Sequence, residues 1–147
     1  MGRYADAKQF YLRSIICFRS FGDAFEEGQS NRDLSEVCAL LKDFDAAKKA
    51  CQSSMRYYAR AGQTGQLIAN LRSVASLFEM QGDHARAIEM LAVLVNHPAT
   101  FSYHLPPARG ALARLREHTS PEAFAAAFER GKALDLNAVV AELLQDV

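Results

Sequence analysis

The sequence has no tryptophan, only four prolines and few β-branched residues. Valine, isoleucine and threonine together number 14, whereas alanine numbers 25 and leucine 16 among the 147 residues. Because β-branched residues favour strands while alanine and leucine favour helices, the composition predicts a mostly helical fold. Long apolar runs are also missing: the longest, residues 90–95, is far short of the ~20 residues that cross a bilayer. No signal peptide is recognisable at the start, so we expect a cytoplasmic protein without a membrane partner.

Neither sign of charge dominates, since 17 basic residues balance 17 acidic ones. A protein that chiefly binds DNA or RNA is expected to carry a basic surface, so we exclude nucleic acid as a partner. The segment 120–144 has the outline of a helix-turn-helix, but residues 121–147 contain five acidic and two basic side chains, which disfavours phosphate contacts. Hydrophobic residues make up 50% of the chain, which favours an ordered domain over a disordered chain.

Recognisable chemistry is scarce. Cys17, Cys38 and Cys51 form no CxxC pair, and we expect three reduced, buried thiols. The histidines lack zinc-type spacing, and the sequence contains neither a phosphate-binding glycine loop nor a GxSxG nucleophile motif. The sequence therefore predicts no metal, no cofactor and no catalytic residues, which favours a protein that is not an enzyme.

The main signal is an internal repeat. GRYADA at 2–7, KDFDAA at 42–47 and GDHARA at 82–87 follow one another at intervals of 40 residues, and EAFAAA at 122–127 is a weaker fourth copy. Positions outside these motifs keep the same interval, for example Gly22 and Gly62, or Arg32 and Arg72. A fixed period of this length is the signature of a repeat architecture.

Each repeat has the pattern of two helices joined by a tight turn. In the third copy, apolar residues recur at helical spacing over 66–81, and Gly82-Asp83 then predicts a turn. Asp83 can cap the second helix, which is expected to stop before Pro98. Lys42-Asp43 is the equivalent turn of the preceding copy, and Gly62 is expected to end its second helix with a positive φ.

This pattern resembles the tetratricopeptide repeat over residues 1–98, and weakly over 106–131. Departures are Leu71 in place of the usual tryptophan, Lys42 in place of the turn glycine, and a period of 40 rather than 34. The long repeats and the tail at 120–144 are similar to the C-terminal repeat region of large bacterial signal-transduction ATPases and transcriptional activators of the maltose-activator type. The resemblance implies an all-α, right-handed solenoid of antiparallel helix pairs, with about seven to eight helices.

The resemblance also implies one domain over 1–147, with regular repeats over 1–98 and a degenerate repeat plus a C-terminal cap over 99–147. Ser120-Pro121 predicts a helix start, Gly131 its end, and Asp135 or Asn137 the cap of a last helix within 136–147. A capping element of this kind is expected at the end of a solenoid.

The chain opens in the middle of a repeat, because residues 3–21 match the second helix of a pair. Its apolar face is wider than one neighbour needs, so we expect a fragment of a longer protein; a natural start with an exposed aromatic face is the alternative. In either case exposed Phe10, Phe18 and Phe21 favour self-association, and a homodimer through this helix is expected.

The resemblance further implies that the first helices of the pairs line a concave groove for a protein or peptide partner. The groove-facing residues would be Gln29, Arg32, Glu36, Leu40, Arg72, Ser76, Glu79 and Met80. The sequence thus favours a non-catalytic scaffold, the repeat part of a larger bacterial signalling or transcription regulator. Two alternatives stay open: a small-molecule sensing domain of such a regulator, and a homo-oligomerisation module.

Overall fold

A computed structural model describes residues 2–145; Met1, Asp146 and Val147, which include the outer end of the predicted cap, lie outside the described residues. Within this range the chain forms eight α-helices, one short 3-10 helix and no strand, which confirms the predicted all-helical class. The helices are α1 Gly2–Phe21, α2 Ala24–Leu40, α3 Phe44–Arg60, α4 Thr64–Met80, α5 His84–Asn96, α6 Leu105–Glu117, α7 Pro121–Ala133 and α8 Leu136–Gln145, with the 3-10 helix at Ser102–His104. None of these helices has the length and apolarity that crossing a membrane requires.

Short turns join the first five helices at intervals of 20 residues. Each turn contains one residue with a positive φ, namely Gly22 at 72°, Lys42 at 62°, Gly62 at 67° and Gly82 at 82°. The aspartates that follow at 23, 43 and 83 accept a hydrogen bond from the backbone N–H three residues further on. Glycine favours the left-handed conformation that ends one helix, and aspartate caps the next. The predicted turns and the Asp83 cap are therefore confirmed.

Packing follows chain order in the first half of the molecule. Each helix from α2 to α5 packs against the helix before it, and α2 also contacts α4. A small apolar cluster around Ile15, Leu34 and Cys38 joins α1, α2 and α3. A larger cluster runs from α3 to α8, and both Ala75 and Ala87 are buried in it.

The crossing of α7 with α5 depends on Gly131. A Cβ at this position would lie 2.5 Å from the Glu89 carbonyl oxygen and 2.6 Å from the Ala92 Cβ. The prediction that Gly131 ends its helix is wrong, because α7 continues to Ala133 and Gly131 has no positive φ. Gly131 instead lets two helix backbones approach each other, which is the other common use of glycine.

The last helix folds back onto the middle of the chain. Leu136, Val139 and Val140 of α8 are buried, and the Gln52 side-chain amide of α3 donates a hydrogen bond to the Leu143 carbonyl oxygen at 2.9 Å. The Asp135 carboxylate caps this helix by accepting a bond from the Ala138 N–H, at 3.0 Å. Of the two predicted caps, Asp135 is thus the one used.

The three thiols are free but not equally buried. Cys38 and Cys51 are buried, and burial raises the pKa of the Cys51 thiol to about 12. Cys17 is exposed, so the prediction of three buried cysteines is wrong for this residue. Helical spacing explains the difference, since Cys17 lies two positions after Ile15, the one buried residue of α1, and therefore on a different face.

Candidate protein-interaction groove

The eight residues predicted for the groove lie on two helices that touch each other. Those of α2 are spaced three or four residues apart, and on α4 both Glu79 and Met80 follow Ser76 by three or four residues, which places each set on one helical face. Five of them line one cavity of about 160 Å³: Glu36, Leu40, Arg72, Ser76 and Met80. Gln29 and Arg32 lie nearer the start of α2, and Glu79 lines the neighbouring cavity. We call this surface the groove.

Polar contacts join the two helices along the groove. The Arg32 guanidinium donates to Gln66 Oε1 at 3.0 Å, and the Ser73 hydroxyl donates to Glu36 Oε1 at 2.9 Å. Arg72 Nη2 lies 3.7 Å from the same Glu36 oxygen. The two arginines that are 40 residues apart therefore differ, because Arg72 faces a carboxylate and Arg32 a neutral amide. Arg32 keeps a positive charge that can attract a carboxylate of a bound molecule.

Two large apolar side chains sit at equivalent positions of the repeat within this polar surface. Leu40 is 46% exposed and Met80 is 43% exposed. Both residues line the cavity that contains Glu36 and Arg72. Leucine and methionine surrounded by charged groups form a surface on which an apolar side chain of a partner could be buried.

Helix α6 extends the groove beyond α4. A second cavity, of about 340 Å³, lies between the two helices and is lined by Arg72, Ser76 and Glu79 together with Gly110 and Arg114. Arg114 Nη2 lies 3.4 Å from Glu79 Oε2. The groove therefore has three helical walls, α2, α4 and α6, rather than the two that the sequence predicted.

The segment between α5 and α6 lies across the start of α4. The Phe101 ring packs onto Gly65 so closely that a Cβ there would be 2.4 Å from a ring carbon. Tyr103 is 64% exposed, and its ring centroid lies 4.4 Å from that of His104. This aromatic segment thus adds an apolar wall to the groove on the side of α4 where it begins.

Burial and nearby charges shift the pKa values of two side chains close to the groove. The pKa of His104 is lowered, first by burial and then by the charges of Arg72 and Arg32. The pKa of Asp33 is raised, first by burial and then by the nearby Glu36 carboxylate.

The 40-residue repeat did not predict that α6 lines the groove, and the reason is the spacing of its residues. Gly110 and Arg114 of α6 follow Arg72 and Ser76, their neighbours in the cavity, by 38 residues. A strict interval of 40 residues points to Leu112, which is buried, and so to the wrong face of the helix. The irregular segment before Leu105 shortens the spacing, and only the structure shows by how much.

Within residues 2–145 no group of three or more histidine, cysteine, aspartate or glutamate side chains is placed to hold a metal ion. Comparison of the chain with protein-family models, with curated proteins and with solved structures gives no match. Its function must therefore be inferred from the geometry and chemistry of the groove.

Proposed function

We propose that the chain is a non-catalytic protein-interaction module of tetratricopeptide type, in which α2, α4 and α6 hold a peptide segment of a partner protein. The helix pairs would stack as a right-handed solenoid, as the repeat part of a larger bacterial signalling or transcription regulator. The observation that carries the proposal is the groove: two half-exposed apolar side chains, Leu40 and Met80, share one cavity with Glu36, Arg72 and Ser76.

The groove chemistry favours a particular kind of peptide. An apolar side chain of the peptide would lie against Leu40 and Met80, and a carboxylate further along the peptide would meet Arg32, which forms no salt bridge among the described residues. Arginine binds carboxylates with two parallel hydrogen bonds, which gives specificity as well as affinity. We therefore expect peptides that combine leucine or an aromatic residue with nearby aspartate or glutamate.

Selection from a phage library of random peptides would test this proposal. We expect enriched peptides with the apolar-plus-acidic pattern, and binding that weakens about tenfold or more in Met80→Glu, because the apolar contact is replaced by a charge that repels the acidic peptide. The matched control is Leu12→Glu, which makes the same kind of change at an exposed position on α1. Fluorescence anisotropy of a labelled peptide gives both affinities.

Two outcomes would contradict the proposal. One is a selection that yields no peptide with saturable binding. The other is an equal loss of affinity in Met80→Glu and Leu12→Glu, which would place the contact outside the groove. Circular dichroism of both variants checks that neither change has altered the fold.

The sensing alternative is supported less well. A cavity between α3, α4 and α8 has an apolar side formed by Phe44, Val74, Leu77, Phe78 and Leu143, but Asp45, Lys48, Gln52 and Gln81 line it as well. Its volume is about 220 Å³, whereas drug-sized ligands commonly occupy about 300–1,000 Å³. An open surface along three helices fits a peptide better than this cavity fits a metabolite.

A second candidate function, self-association, is favoured by the bare face of α1. Phe10 is 64% exposed and Phe21 is 81% exposed, whereas Phe18 is half-buried. In the 40-residue register Phe10 corresponds to Ala50 and Met90, which are both buried. The face that α3 and α5 bury is therefore uncovered on α1 within the described residues.

The occupant that fits this face is α1 of a second copy. The residues at 3, 7, 10, 14, 17 and 21 alternate at spacings of four and three, as in the seam of a coiled coil. Antiparallel pairing over the whole helix places Phe10 opposite the partner's Ser14, and Arg3 opposite the partner's Phe21. Large side chains thus meet small ones, and a guanidinium meets an aromatic ring, on both halves of the pair.

Light scattering after gel filtration, over a dilution series, tests for this dimer. We expect Phe10→Asp to give a monomer because it places a charge in the middle of the seam. Ile16→Asp is the control, since Ile16 is 67% exposed on another face of the same helix. In the dimer Cys17 should also react more slowly with maleimide than in the Phe10→Asp monomer. A wild-type chain that is monomeric at every concentration would exclude self-association.

A further inference from the structure

A second pocket lies where the end of α1, the start of α2 and the end of α3 meet. Its volume is about 330 Å³, and three of its lining side chains are arginines, namely Arg19, Arg56 and Arg60. Glu27 is the one acidic side chain among the lining residues. The pocket is separate from the groove: at 100° per residue, the α2 residues that line it lie about 130° around the helix from those that line the groove.

The single carboxylate of this pocket, that of Glu27, is already paired with one of the three arginines. Arg19 donates to Glu27 Oε1 from Nε at 2.9 Å and from Nη2 at 2.6 Å. Arg56 and Arg60, in contrast, form no ion pair among the described residues, although they lie one helical turn apart on α3. Like charges at this spacing repel each other, so the empty pocket carries an electrostatic cost that an anion would relieve.

The other residues of the pocket form its wall and supply an uncharged hydrogen-bond donor. A Cβ at Gly28 would lie 3.0 Å from Tyr57 Cδ1, so this glycine lets the Tyr57 ring lie against α2 and line the pocket. One N–H of the buried Asn31 amide donates to the Glu27 carbonyl oxygen at 3.0 Å. Its second N–H remains available beside the two guanidinium groups.

We propose that this pocket binds a small oxyanion, with Arg56 and Arg60 holding its phosphate or carboxylate oxygens. Guanidinium groups match both kinds of group, because each can donate two parallel N–H bonds. The volume exceeds that of a bare phosphate ion, so a phosphate ester or a small polycarboxylate fits the site. A pocket with three arginines on a chain of balanced charge does not suit nucleic acid, which needs an extended basic surface.

Calorimetric titration of the whole chain with inorganic phosphate, and separately with citrate, tests the site. Sodium chloride holds the ionic strength constant, so that general screening is the same in every titration. We expect saturable binding of at least one of the two anions; the preferred one identifies the chemical class. Arg60→Gln and Arg56→Gln should each weaken binding about tenfold or more, since each removes one charge-assisted contact.

The control is Arg109→Gln, which removes the same charge from an exposed position on α6. Arg60 is exposed, so its substitution is expected to leave folding intact, and urea unfolding of each variant checks this. Wild-type chain that binds neither phosphate nor citrate would overturn the proposal. Equal affinity in Arg60→Gln and the wild type would overturn it as well, because the anion would then be bound elsewhere.

Discussion

At the scale of single residues, Lys42 is the one residue other than glycine in the described chain whose backbone has a positive φ. The three equivalent turns have glycine there, and the exposed lysine has a φ of 62°. An L-residue in the left-handed region costs free energy that glycine does not. The left-handed conformation costs about 1–2 kcal/mol, and the greater freedom of glycine in the unfolded chain offsets about 0.5–1 kcal/mol of this. We therefore predict that Lys42→Gly raises the free energy of unfolding by about 0.5–1 kcal/mol, measured by urea titration.

The reverse change at the matching turn provides the control. Gly82 has a φ of 82°, and no atom lies within 4 Å of the place where a Cβ would stand. Gly82→Ala should therefore destabilise the chain through its backbone conformation alone. Lys42→Gly without any gain in stability would mean that the lysine side chain contributes contacts of its own.

A second residue-scale prediction concerns Asp43, which caps α3 and pairs with Lys8 at 3.0 Å. The hydrogen bond from Lys8, followed by that from the Ala46 N–H, lowers the pKa of this carboxyl below its ordinary 3.8. The unfolded chain therefore binds this proton more readily, so the stabilisation is present above pH 3.8 and is lost as the pH falls through the folded-state pKa. Unfolding measured from pH 7 down to about pH 2 should show this loss below pH 3.8 in the wild type and less of it in Asp43→Asn.

Asparagine still caps a helix, so this substitution tests the charge rather than the cap. Glu117→Gln is the control, because it removes a carboxylate from an exposed position on α6 that forms no salt bridge among the described residues. An Asp43→Asn profile that is identical to the wild type would show that Lys8 and Asp43 are not paired in solution.

Residue-scale features were largely predictable where one local rule decides them. The turns at Gly62 and Gly82 and the caps at Asp83 and Ser120 follow from the preference of glycine for positive φ and of short polar side chains for helix starts. Cys17 was mispredicted because the usual burial of cysteine is a tendency, whereas exposure depends on which helices surround α1.

At the scale of helices, the contrast between two glycines gives a third prediction. At Gly131 a Cβ would meet the backbone of Glu89 and the Cβ of Ala92, neither of which can move aside easily, whereas at Gly110 it would meet nothing within 4 Å. Gly131→Ala should therefore cost about 1–3 kcal/mol through overpacking. Gly110→Ala should stabilise α6 by about 0.5–1 kcal/mol, the difference in helix propensity.

Urea unfolding of both variants checks this pair, and because each glycine lies within a helix, the two substitutions differ only in their surroundings. If Gly131→Ala left the free energy of unfolding unchanged, α7 would be able to slide along α5 at little cost.

The existence of these helices was predictable from their periodicity, but the helices against which they pack were not. That α7 packs mainly on α5 depends on tertiary contacts that no periodicity reveals. That α6 presents Gly110 and Arg114 to the groove depends on a spacing that departs from 40 residues.

At the scale of the whole molecule, α8 connects the end of the chain to its middle. In a linear stack each helix contacts only its neighbours, and unfolding can begin at either end. The bond from Gln52 to Leu143 spans 91 residues, so α8 should make the unfolding of α3 and that of the C-terminal helices a single event. We predict that Leu143→Asp, which places a charge beside apolar Phe44 and Leu77, lowers both the stability and the urea m-value.

Circular dichroism and tyrosine fluorescence distinguish these two cases. Four of the five tyrosines lie on α1 and α3 and none on α6 to α8, so the fluorescence reports mainly on the first half of the chain, whereas circular dichroism reports on all the helices. The two signals should change together in the wild type and at different urea concentrations in Leu143→Asp. Ala141→Asp, at an exposed position on the same helix, is the control and should behave as the wild type does. Signals that stay coincident in Leu143→Asp would show that the α8 contact does not couple the two parts.

The turns at 22, 42, 62 and 82 have a further consequence for how such a chain can grow. Residues 23–62 begin just after one left-handed turn glycine and end on another, so a tandem copy of this segment would join itself through the same Gly-to-cap junction that the chain already uses. The duplicated pair would add one more groove wall of the α2 kind while leaving the docking of α8 on the original α3 in place. Binding length would then be adjusted in whole modules, by gene duplication or by design, without the invention of a new interface.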